Sequence, residues 1–572
     1  MERQEATPRV LVIGVDAATM DLIRPWADAG RLPTFARLLR EGTSGLLRSV
    51  PNRNSAAAWT SMMTGKNPGK HGIFFFTEYQ EGSFDYSYVN ASYRNGATLW
   101  RLLSDAGLRV GVVNVPMTYP AEEVNGFMIS GMDAPGVHDP LFVYPRELYQ
   151  EIRSRVGEYT IETGLGSYMK AGRLAEGAQA LLRTTCQRLA AARHLMTTRP
   201  WDFFMVVFRA TDPAQHYFWK YMEPQWFHVN PRDVERYGRV IPAVYEEIDR
   251  AVADLLALAG EDTTVIIVSD HGASADTAKA KVLNRWLEAM GILRYQKAAR
   301  RSPGEQMRKL LWDVAALGYR QMDKRFSRAF KKRLAHMFPR LRTKTEAHMA
   351  YSRIDWGATR AFSDGKRAEI WINVKGRQPY GIVEPGEEYN RVCREITTRL
   401  HAARDASSGR PLVQRVYRRD EVYHGPYVDR STDLIIEWHK NAVTDRVNFG
   451  DGRVLTLNRE RAENPLERLI CGAHDPMGIL FMTGPPVRSG HAVEGATVMD
   501  IAPTVLYLLG QPIPDDMDGE AILDALKDDY VASHPPRGTR APEAEPVAAI
   551  SGYSEEDEAR IGERLRGLGY IE

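Results

Sequence analysis

Acidic and imidazole side chains stand directly after three apolar stretches of the chain, where they could form a metal site. Each stretch, of which TTVIIV at residues 263–268 is the cleanest, is typical of a strand buried on both faces. The groups that follow are Asp16, then Asp212 with His216, then Asp270 with His271. In an open parallel sheet, ligands bind beyond the carboxyl ends of the strands, so these groups can converge on one rim. Carboxylate with imidazole suits zinc, with manganese or iron as alternatives.

The spacing of these groups supports that interpretation. Asp212 and His216 are four residues apart, so one helical turn places both side chains on the same face. Asp270 and His271 follow their apolar strand at once, whereas an isolated aspartate there is usually a cap or turn residue. A further histidine, His474, lies in GAHD near the end of the chain and would alone be an ordinary loop residue. The order of all six groups indicates one site.

A candidate nucleophile lies between the first and second of these groups. Ser55 precedes a short helix-compatible run at residues 56–63, so we predict that it is the helix N-cap. Its hydroxyl would then lie beside free backbone N–H groups, at a position where helices hold phosphate-like anions. The alternative for this stretch alone is a capped surface helix followed by a turn at residues 67–69.

Strands and helices alternate along the parts of the chain that must position these residues. Strand patterns alternating with helical ones predict an α/β fold with a doubly wound, mostly parallel sheet and helices on both faces. Helical periodicity also predicts one long helix over 234–258, with Pro242 as its kink or break. Ser554 opens a short C-terminal helix. The predicted buried strands include residues 9–15, 109–115, 202–208, 263–268 and 477–482.

Changes of composition divide the chain into a core and appended parts. We predict a single catalytic core over 1–296 and 357–530, a linker over 531–553 and a C-terminal helix over 554–572. Between the two parts of the core, residues 297–356 form a basic helical insertion. Its segment 297–344 holds fifteen Lys/Arg against three Asp/Glu. A solvated helical cap is one interpretation of it. A surface for an anionic substrate or for peripheral membrane contact is the other.

The composition excludes several classes of protein. The apolar fraction of 44% among 572 residues suits a globular protein, and a net charge of +2 gives no field for a nucleic-acid polymer. Three distant cysteines exclude a disulfide framework. The N-terminus lacks a signal-peptide pattern and no apolar run is long enough to span a bilayer, so we expect a cytoplasmic protein.

Taken in order, the motifs resemble the type I phosphodiesterase/nucleotide pyrophosphatase family of the alkaline phosphatase superfamily. The resemblance covers roughly residues 8–135, 200–290 and 465–525 and implies an alkaline-phosphatase-like fold. The matching pieces are VIGVDA around Asp16, Ser55 with Thr64-Gly65, Pro68 and His71-Gly72-Ile73 after it, DPAQH, SDHG, GAH, and DIAPT at 500–504.

The resemblance implies a phosphohydrolase with two divalent metal ions, zinc ahead of manganese or iron. Two metal ions can clamp the attacking and leaving oxygens of an in-line displacement. Metal contact would lower the pKa of the serine hydroxyl, and Ser55 would form a phosphoseryl intermediate. The substrate would be a small-molecule phosphodiester, pyrophosphate or phosphomonoester. By position, one ion would be held by Asp212, His216 and His474, and the other by Asp16, Asp270, His271 and the Ser55 oxygen.

Two positions depart from the pattern of the family. Phe76 stands where these phosphodiesterases carry an asparagine that hydrogen-bonds a phosphoryl oxygen, so the diester preference stays open. Another donor must serve there, and Arg53, Asn54 and Lys366 are the candidates. Gln215 replaces a glycine before the metal histidine, but the spacing from Asp212 to His216 is intact.

Two other functions stay open at the level of sequence. A phosphotransferase or mutase of the same superfamily would pass the phosphoryl group to an alcohol instead of water. A non-catalytic protein that docks on membranes or acidic partners through residues 297–344 is the alternative from a different class. A sulfatase is disfavoured because Ala-Ala-Ala-Trp follows Ser55 instead of the required Pro and Arg spacing.

Overall fold

A computed structural model describes most of the chain outside the basic insertion. The predicted insertion segment 297–344 and the candidate donor Lys366 lie outside the described residues. The described residues are 8–80, 82–227, 229–275, 283–296, 351, 353–364, 367–440, 444, 446–450, 452–456, 469–542 and 553–570.

A nine-stranded sheet forms the centre of the molecule. The strands are β1 Arg9–Val15, β2 Thr43–Arg48, β3 Val110–Val115, β4 Gly126–Ser130, β5 Val143–Tyr144, β6 Phe203–Phe208, β7 Thr263–Val268, β8 Met477–Thr483 and β9 His491–Val493. Their order in the sheet is β9-β2-β8-β7-β1-β6-β3-β4-β5. Strand β1 pairs in parallel with β6 and β7, and β3 in parallel with β6 and β4, whereas β8 and β5 are antiparallel to their neighbours.

Apolar side chains cover both faces of this sheet. In β1, Leu11 and Ile13 belong to one hydrophobic core and Val10 and Val12 to the other, as the alternation of a strand requires. Helices complete both cores, so the predicted α/β class and mostly parallel sheet are confirmed. The longer helices are Met20–Asp28, Pro33–Glu41, Ser55–Thr64, Leu99–Asp105, Leu148–Arg155, Leu165–Lys170, Leu174–Thr198, Thr211–Met222, Pro231–Tyr237, Val240–Ala259, Leu283–Ala289, Glu387–His401, Ile501–Leu508, Asp528–Ser533 and Glu555–Leu568.

The single long helix predicted over 234–258 was wrong in its break point. The chain forms two helices, Pro231–Tyr237 and Val240–Ala259, which are separated at Gly238. Pro242 lies in the first turn of the second helix, where its missing N–H breaks no intrahelical bond. Proline therefore fits this helix start and does not interrupt it.

A smaller antiparallel sheet lies against the loop before Ser55. Its order is Ala361–Phe362, Glu369–Ile372, Leu434–Trp438 and Val413–Arg418, and helix Glu387–His401 packs on it. The Arg53 guanidinium donates to the main-chain oxygen of Ile436 over 2.9 Å. This bond joins the smaller sheet to the loop that precedes the candidate nucleophile, Ser55.

A two-stranded ribbon beyond the sheet brings distant histidines together. Gly272–Ala275 pairs antiparallel with Gly472–Asp475, so His474 lies opposite Ala273, two residues after His271. This pairing explains how a histidine late in the chain reaches the carboxyl ends of β1 and β7. Among the helices of the described part of the chain, none is both long and apolar enough to cross a membrane.

Candidate active site

Ser55 begins a helix whose whole length is buried. This serine helix, Ser55–Thr64, is capped by the Asn54 side chain, which accepts from the Ala56 N–H, so the prediction that Ser55 is the N-cap was wrong by one residue. Asparagine caps as well as serine does, and here its Asx turn leaves the serine hydroxyl unused by the backbone. The Ser55 Oγ lies 3.1 Å from His271 Nε2 instead.

The first cluster joins the helix Thr211–Met222 to the ribbon. Its members, Asp212, His216 and His474, offer ligand atoms that all lie within 4.8 Å of one another. Asp212 Oδ1 is 3.1 Å from His216 Nε2 and 3.4 Å from His474 Nε2. The two Nε2 atoms are 3.1 Å apart. The structure therefore brings the three residues into one cluster, as the sequence predicted for them.

The second cluster lies at the ends of β1 and β7. Asp16, Asp270 and His271 also offer ligand atoms within 4.8 Å of one another, and all three are fully buried. The Ala17 N–H donates to Asp270 Oδ1 over 3.2 Å, which fixes the two strand ends relative to each other. The rings of His271 and His474 stack with centroids 3.8 Å apart, so the two clusters are adjacent.

A glycine in β1 makes room for the serine helix beside Asp16. A Cβ on Gly14 would meet the Trp59 ring at 2.6 Å, so only glycine lets this ring pack on the strand. The Trp59 indole then donates to Asp16 Oδ2 over 3.1 Å. The glycine of VIGVDA thus lets the serine helix contact a carboxylate of the second cluster.

All three histidines are oriented by main-chain carbonyls. His216 Nδ1 lies 2.8 Å from the Gly472 oxygen, His474 Nδ1 2.7 Å from the Arg53 oxygen, and His271 Nδ1 2.9 Å from the Gly272 oxygen. A carbonyl accepts only from a protonated nitrogen, so in neutral His271 and His474 the Nε2 atom carries the lone pair that a metal ion requires. Burial lowers the pKa of His271 to about 4. Burial, and then the nearby His271, lowers the pKa of His474 to about 4, so both imidazoles are neutral.

The carboxylates carry oxygens that no protein donor satisfies. Within the described part of the chain, Asp16 Oδ1, Asp212 Oδ2 and Asp270 Oδ2 are buried and accept no hydrogen bond. Burial raises the pKa of Asp270 to about 6 and raises that of Asp16 well above its usual range. A buried carboxylate without a compensating partner costs on the order of several kcal/mol. Orphaned carboxylate oxygens beside free imidazole lone pairs fit divalent metal ions in both clusters.

The model of a known protein family matches most of this chain. The model of the type I phosphodiesterase/nucleotide pyrophosphatase family matches residues 10–446. The chain belongs to this family. The resemblance predicted from the motifs is confirmed, and the chain is a hydrolase of phosphoester bonds.

Solved structures similar to this phosphodiesterase-family chain share little of its sequence. Human ectonucleotide pyrophosphatase/phosphodiesterase 5 is 12% identical with a TM-score of 0.46, over 91% of this chain and 100% of that one. Phosphonoacetate hydrolase from Sinorhizobium meliloti is 14% identical with a TM-score of 0.49, over 88% and 95%. A mutant of the alkaline phosphatase PafA is 14% identical with a TM-score of 0.47, over 91% and 100%. No curated protein matches the chain.

Two of the three candidate phosphoryl donors named from the sequence of this phosphodiesterase-family chain, Arg53 and Asn54, have other partners. The Arg53 guanidinium is held by the Ile436 carbonyl, and the Asn54 side chain caps the serine helix. Gln215 donates to the Ala17 carbonyl over 3.0 Å and accepts from the Tyr245 hydroxyl over 3.1 Å, so it braces the second cluster from behind. Phe76 is buried and offers no polar atom.

A buried arginine that the sequence analysis missed lies between the two clusters. Arg209 Nη1 donates to Asp16 Oδ2 over 2.6 Å, and its Nη2 is 3.8 Å from Asp212 Oδ2. Its Nε donates to Glu162 over 2.5 Å. This cation offsets part of the negative charge that the clusters concentrate. Arg209 stands three residues before Asp212, but nothing in that spacing shows that Asp16 would be its partner.

A second missed residue comes from the end of the chain. The Tyr570 hydroxyl lies 2.9 Å from Ser55 Oγ, across 515 positions of sequence. Its ring packs on Phe76 with centroids 4.7 Å apart and lies 6.0 Å from the His474 ring. Tyr570 falls outside the range that the phosphodiesterase family model matches.

Proposed function

We propose that this chain is a two-metal phosphohydrolase in which Ser55 is the nucleophile. The observation that carries the proposal is the position of Ser55 Oγ, 3.1 Å from His271 Nε2, beside two clusters that each offer a carboxylate and imidazole donor set. Membership of the phosphodiesterase family supplies the class of reaction. The substrate we propose is a small-molecule phosphodiester, pyrophosphate or phosphomonoester.

The donor sets support one metal ion in each cluster. Asp212, His216 and His474 would hold one ion, and Asp16, Asp270, His271 and the Ser55 oxygen would hold the other. Bound divalent ions at such a site stabilise the charge that develops on the attacking and leaving oxygens. We propose zinc, with manganese or iron as alternatives, because neutral imidazole with carboxylate is a borderline donor set.

The protein itself positions the nucleophile and a phosphoryl group. Ser55 is fully buried in the first turn of the serine helix, where the positive end of the helix dipole favours an anion. We propose that the Ser55 hydroxyl gives up its proton and its oxygen bonds to phosphorus, while the bond from phosphorus to the leaving oxygen of an alcohol or phosphate breaks and that oxygen takes up a proton. Water then breaks the bond between phosphorus and Oγ, which releases phosphate or its monoester and restores the serine.

The three cysteines support a reducing compartment. Cys186, Cys393 and Cys471 are the only cysteines in the sequence of 572 residues, too few for a disulfide framework. A cytoplasmic location is therefore part of the proposal.

Diester or monoester preference depends on the residues that bind the phosphoryl oxygens, and the side chains of Arg53 and Asn54 are already engaged elsewhere.

The test compares two serines of the same helix. With zinc or manganese added, the wild-type chain should hydrolyse an aryl phosphate ester, and Ser55→Ala should abolish that turnover with the fold intact. Ser61→Ala is the matched control. The Ser61 Oγ lies 2.9 Å from His71 Nε2, and this contact is remote from both clusters. Peptide mass spectrometry of a quenched reaction should find a phosphoryl group on Ser55. A wild-type rate in Ser55→Ala would overturn the assignment.

A second readout separates hydrolysis from phosphoryl transfer. The reaction is run with an added alcohol such as glycerol, and the products are analysed. Release of inorganic phosphate or a monoester without a phosphorylated alcohol supports the hydrolase. A phosphorylated alcohol as the main product would make the chain a phosphotransferase.

A further inference from the structure

The C-terminal helix, Glu555–Leu568, is built into the core of the protein. Ile561, Leu565 and Leu568 are buried in the same hydrophobic core as Trp59 and Met62 of the serine helix. As predicted, Ser554 caps the helix, with its Oγ accepting from the Asp557 N–H over 3.2 Å. Burial of these three aliphatic side chains stabilises the helix in this position.

Polar contacts fix the position of this helix along the core. The Tyr217 hydroxyl donates to the Gly567 oxygen over 2.7 Å, and Tyr217 follows the candidate ligand His216 directly. The Arg564 guanidinium donates to the carbonyls of Met132 and Ala134. Gly567 passes so close to the chain that a Cβ on Gly166 would meet its oxygen at 2.4 Å. The helix is therefore held from two sides in one register.

The end of the helix directs Tyr570 towards Ser55. Gly569 adopts the left-handed conformation of a helix C-cap, with φ of 85°, and turns the chain back towards the site. Tyr570 then places its hydroxyl 2.9 Å from Ser55 Oγ, with its ring supported by Phe76. Because an aromatic ring is rigid, a ring that packs on a neighbour such as Phe76 keeps its hydroxyl at a defined point.

The chemistry of this hydroxyl suits a donor to an anion. A phenol has one proton to donate. The Tyr570 hydroxyl lies within hydrogen-bond distance of Ser55 Oγ, at 2.9 Å, so it can direct that proton to the oxygen on which negative charge develops. The other group within reach of Ser55 Oγ, His271 Nε2, has its lone pair directed there and cannot donate.

We propose that Tyr570 is a catalytic residue, inserted into the site by the C-terminal helix, whose hydroxyl donates to Ser55 Oγ and then to an oxygen of the attached phosphoryl group. This inference rests on the proposed function of Ser55. No bond to Tyr570 forms or breaks, and its proton stays on the phenol throughout. A donor preorganised at a developing negative charge is among the strongest single contributions to a rate.

The experiment removes the hydroxyl and keeps the ring. Tyr570→Phe retains the packing on Phe76, and its kcat on an aryl phosphate ester should fall about 100-fold, the cost of one such donor. Inhibition by inorganic phosphate should weaken in parallel, which a merely structural role would not cause, and metal content should not change. Tyr553→Phe is the matched control. It removes a hydroxyl of the same segment that donates to the Asp133 oxygen over 2.7 Å, away from Ser55, and should keep the wild-type rate.

Each other outcome overturns a defined part of the proposal. A wild-type rate and unchanged phosphate inhibition in Tyr570→Phe would exclude the hydroxyl from the reaction. A rate that rises in Tyr570→Phe, or on deletion of residues 553–572, would show that the segment blocks the site. Deletion exposes Ile561 and Leu565 and can fail to fold, so Tyr570→Phe decides. A wild-type chain without metal-dependent hydrolysis would instead remove the proposed function, and the role of Tyr570 with it.

Discussion

His474 and Arg53 are joined by a hydrogen bond that links a candidate metal ligand to the loop before Ser55. His474 Nδ1 lies 2.7 Å from the Arg53 oxygen, two residues before Ser55. Arg53 adopts a left-handed backbone conformation, with φ of 50°, and this turn aims its carbonyl at the imidazole. The Arg53 carbonyl thus orients His474 of the first cluster. The next residue, Asn54, caps the serine helix, which begins at Ser55.

The backbone strain at Arg53 can be tested with a matched pair of variants. Arg53→Gly and Arg53→Val both lose the guanidinium contact to Ile436, but only glycine accepts a positive φ without cost. Because a left-handed conformation costs a side-chain-bearing residue ~1–2 kcal/mol, Arg53→Val should be less stable than Arg53→Gly in urea unfolding. It should also bind less zinc by elemental analysis. Equal stability and metal content in the two variants would show that this conformation does not matter.

Removal of one ligand should empty one cluster and leave the other. Asp212→Asn should lower the metal content from two ions per chain to one, and the rise in Tm on adding zinc to chelator-treated protein should shrink, because less metal binds the folded state. Asp475→Asn is the control. Asp475 neighbours His474 in sequence but accepts from the Met477 N–H and lies 3.5 Å from the Lys440 ammonium. If both variants lose metal equally, Asp212 has no special role.

The pKa of Asp270 predicts a stability difference whose sign depends on metal. Burial raises that pKa to about 6, above the unfolded value of ~3.9, so the carboxyl stabilises the fold at low pH and this contribution is lost as the pH rises through about 6. In metal-free protein, Asp270→Asn should therefore be more stable than the wild type by ~1–3 kcal/mol above that pH, and the difference should vanish towards pH ~4. Urea unfolding across this range measures it. With zinc present the order should reverse, since the variant lacks a ligand; a pH-independent difference would contradict the argument.

The parts of the site encoded by local pattern could be predicted from the sequence. Apolar strands such as Thr263–Val268 indicated where a parallel sheet ends, and the acidic and imidazole groups after them do meet. The cap of the serine helix was misassigned because Asn54 and Ser55 are adjacent and equally suited to the position. Both side chains can accept from a backbone N–H of the first turn, so the local pattern alone does not decide which of the two residues is the cap.

Contacts between distant positions could not be predicted in the same way. Tyr570 meets Ser55 across 515 residues, and Arg209 pairs with Asp16 across 193. No periodicity or spacing relates such positions, because their meeting depends on how whole elements pack. The terminal helix itself was predicted from Ser554, but the site at which it docks was not.

At position 472, the ribbon that carries His474 passes so close to the helix Thr211–Met222 that only glycine fits. A Cβ there would meet the Gln215 oxygen at 2.4 Å, and the Gly472 oxygen also holds His216 Nδ1 at 2.8 Å. Gly472→Ala should push the ribbon away from the helix, lower stability by ~1–3 kcal/mol and weaken zinc binding in the first cluster about 10–100-fold. Gly136→Ala is the control, since its Cβ would meet nothing within 4 Å. Calorimetric zinc titration measures the change, and wild-type zinc affinity in Gly472→Ala would mean that the clusters tolerate a shift of the ribbon.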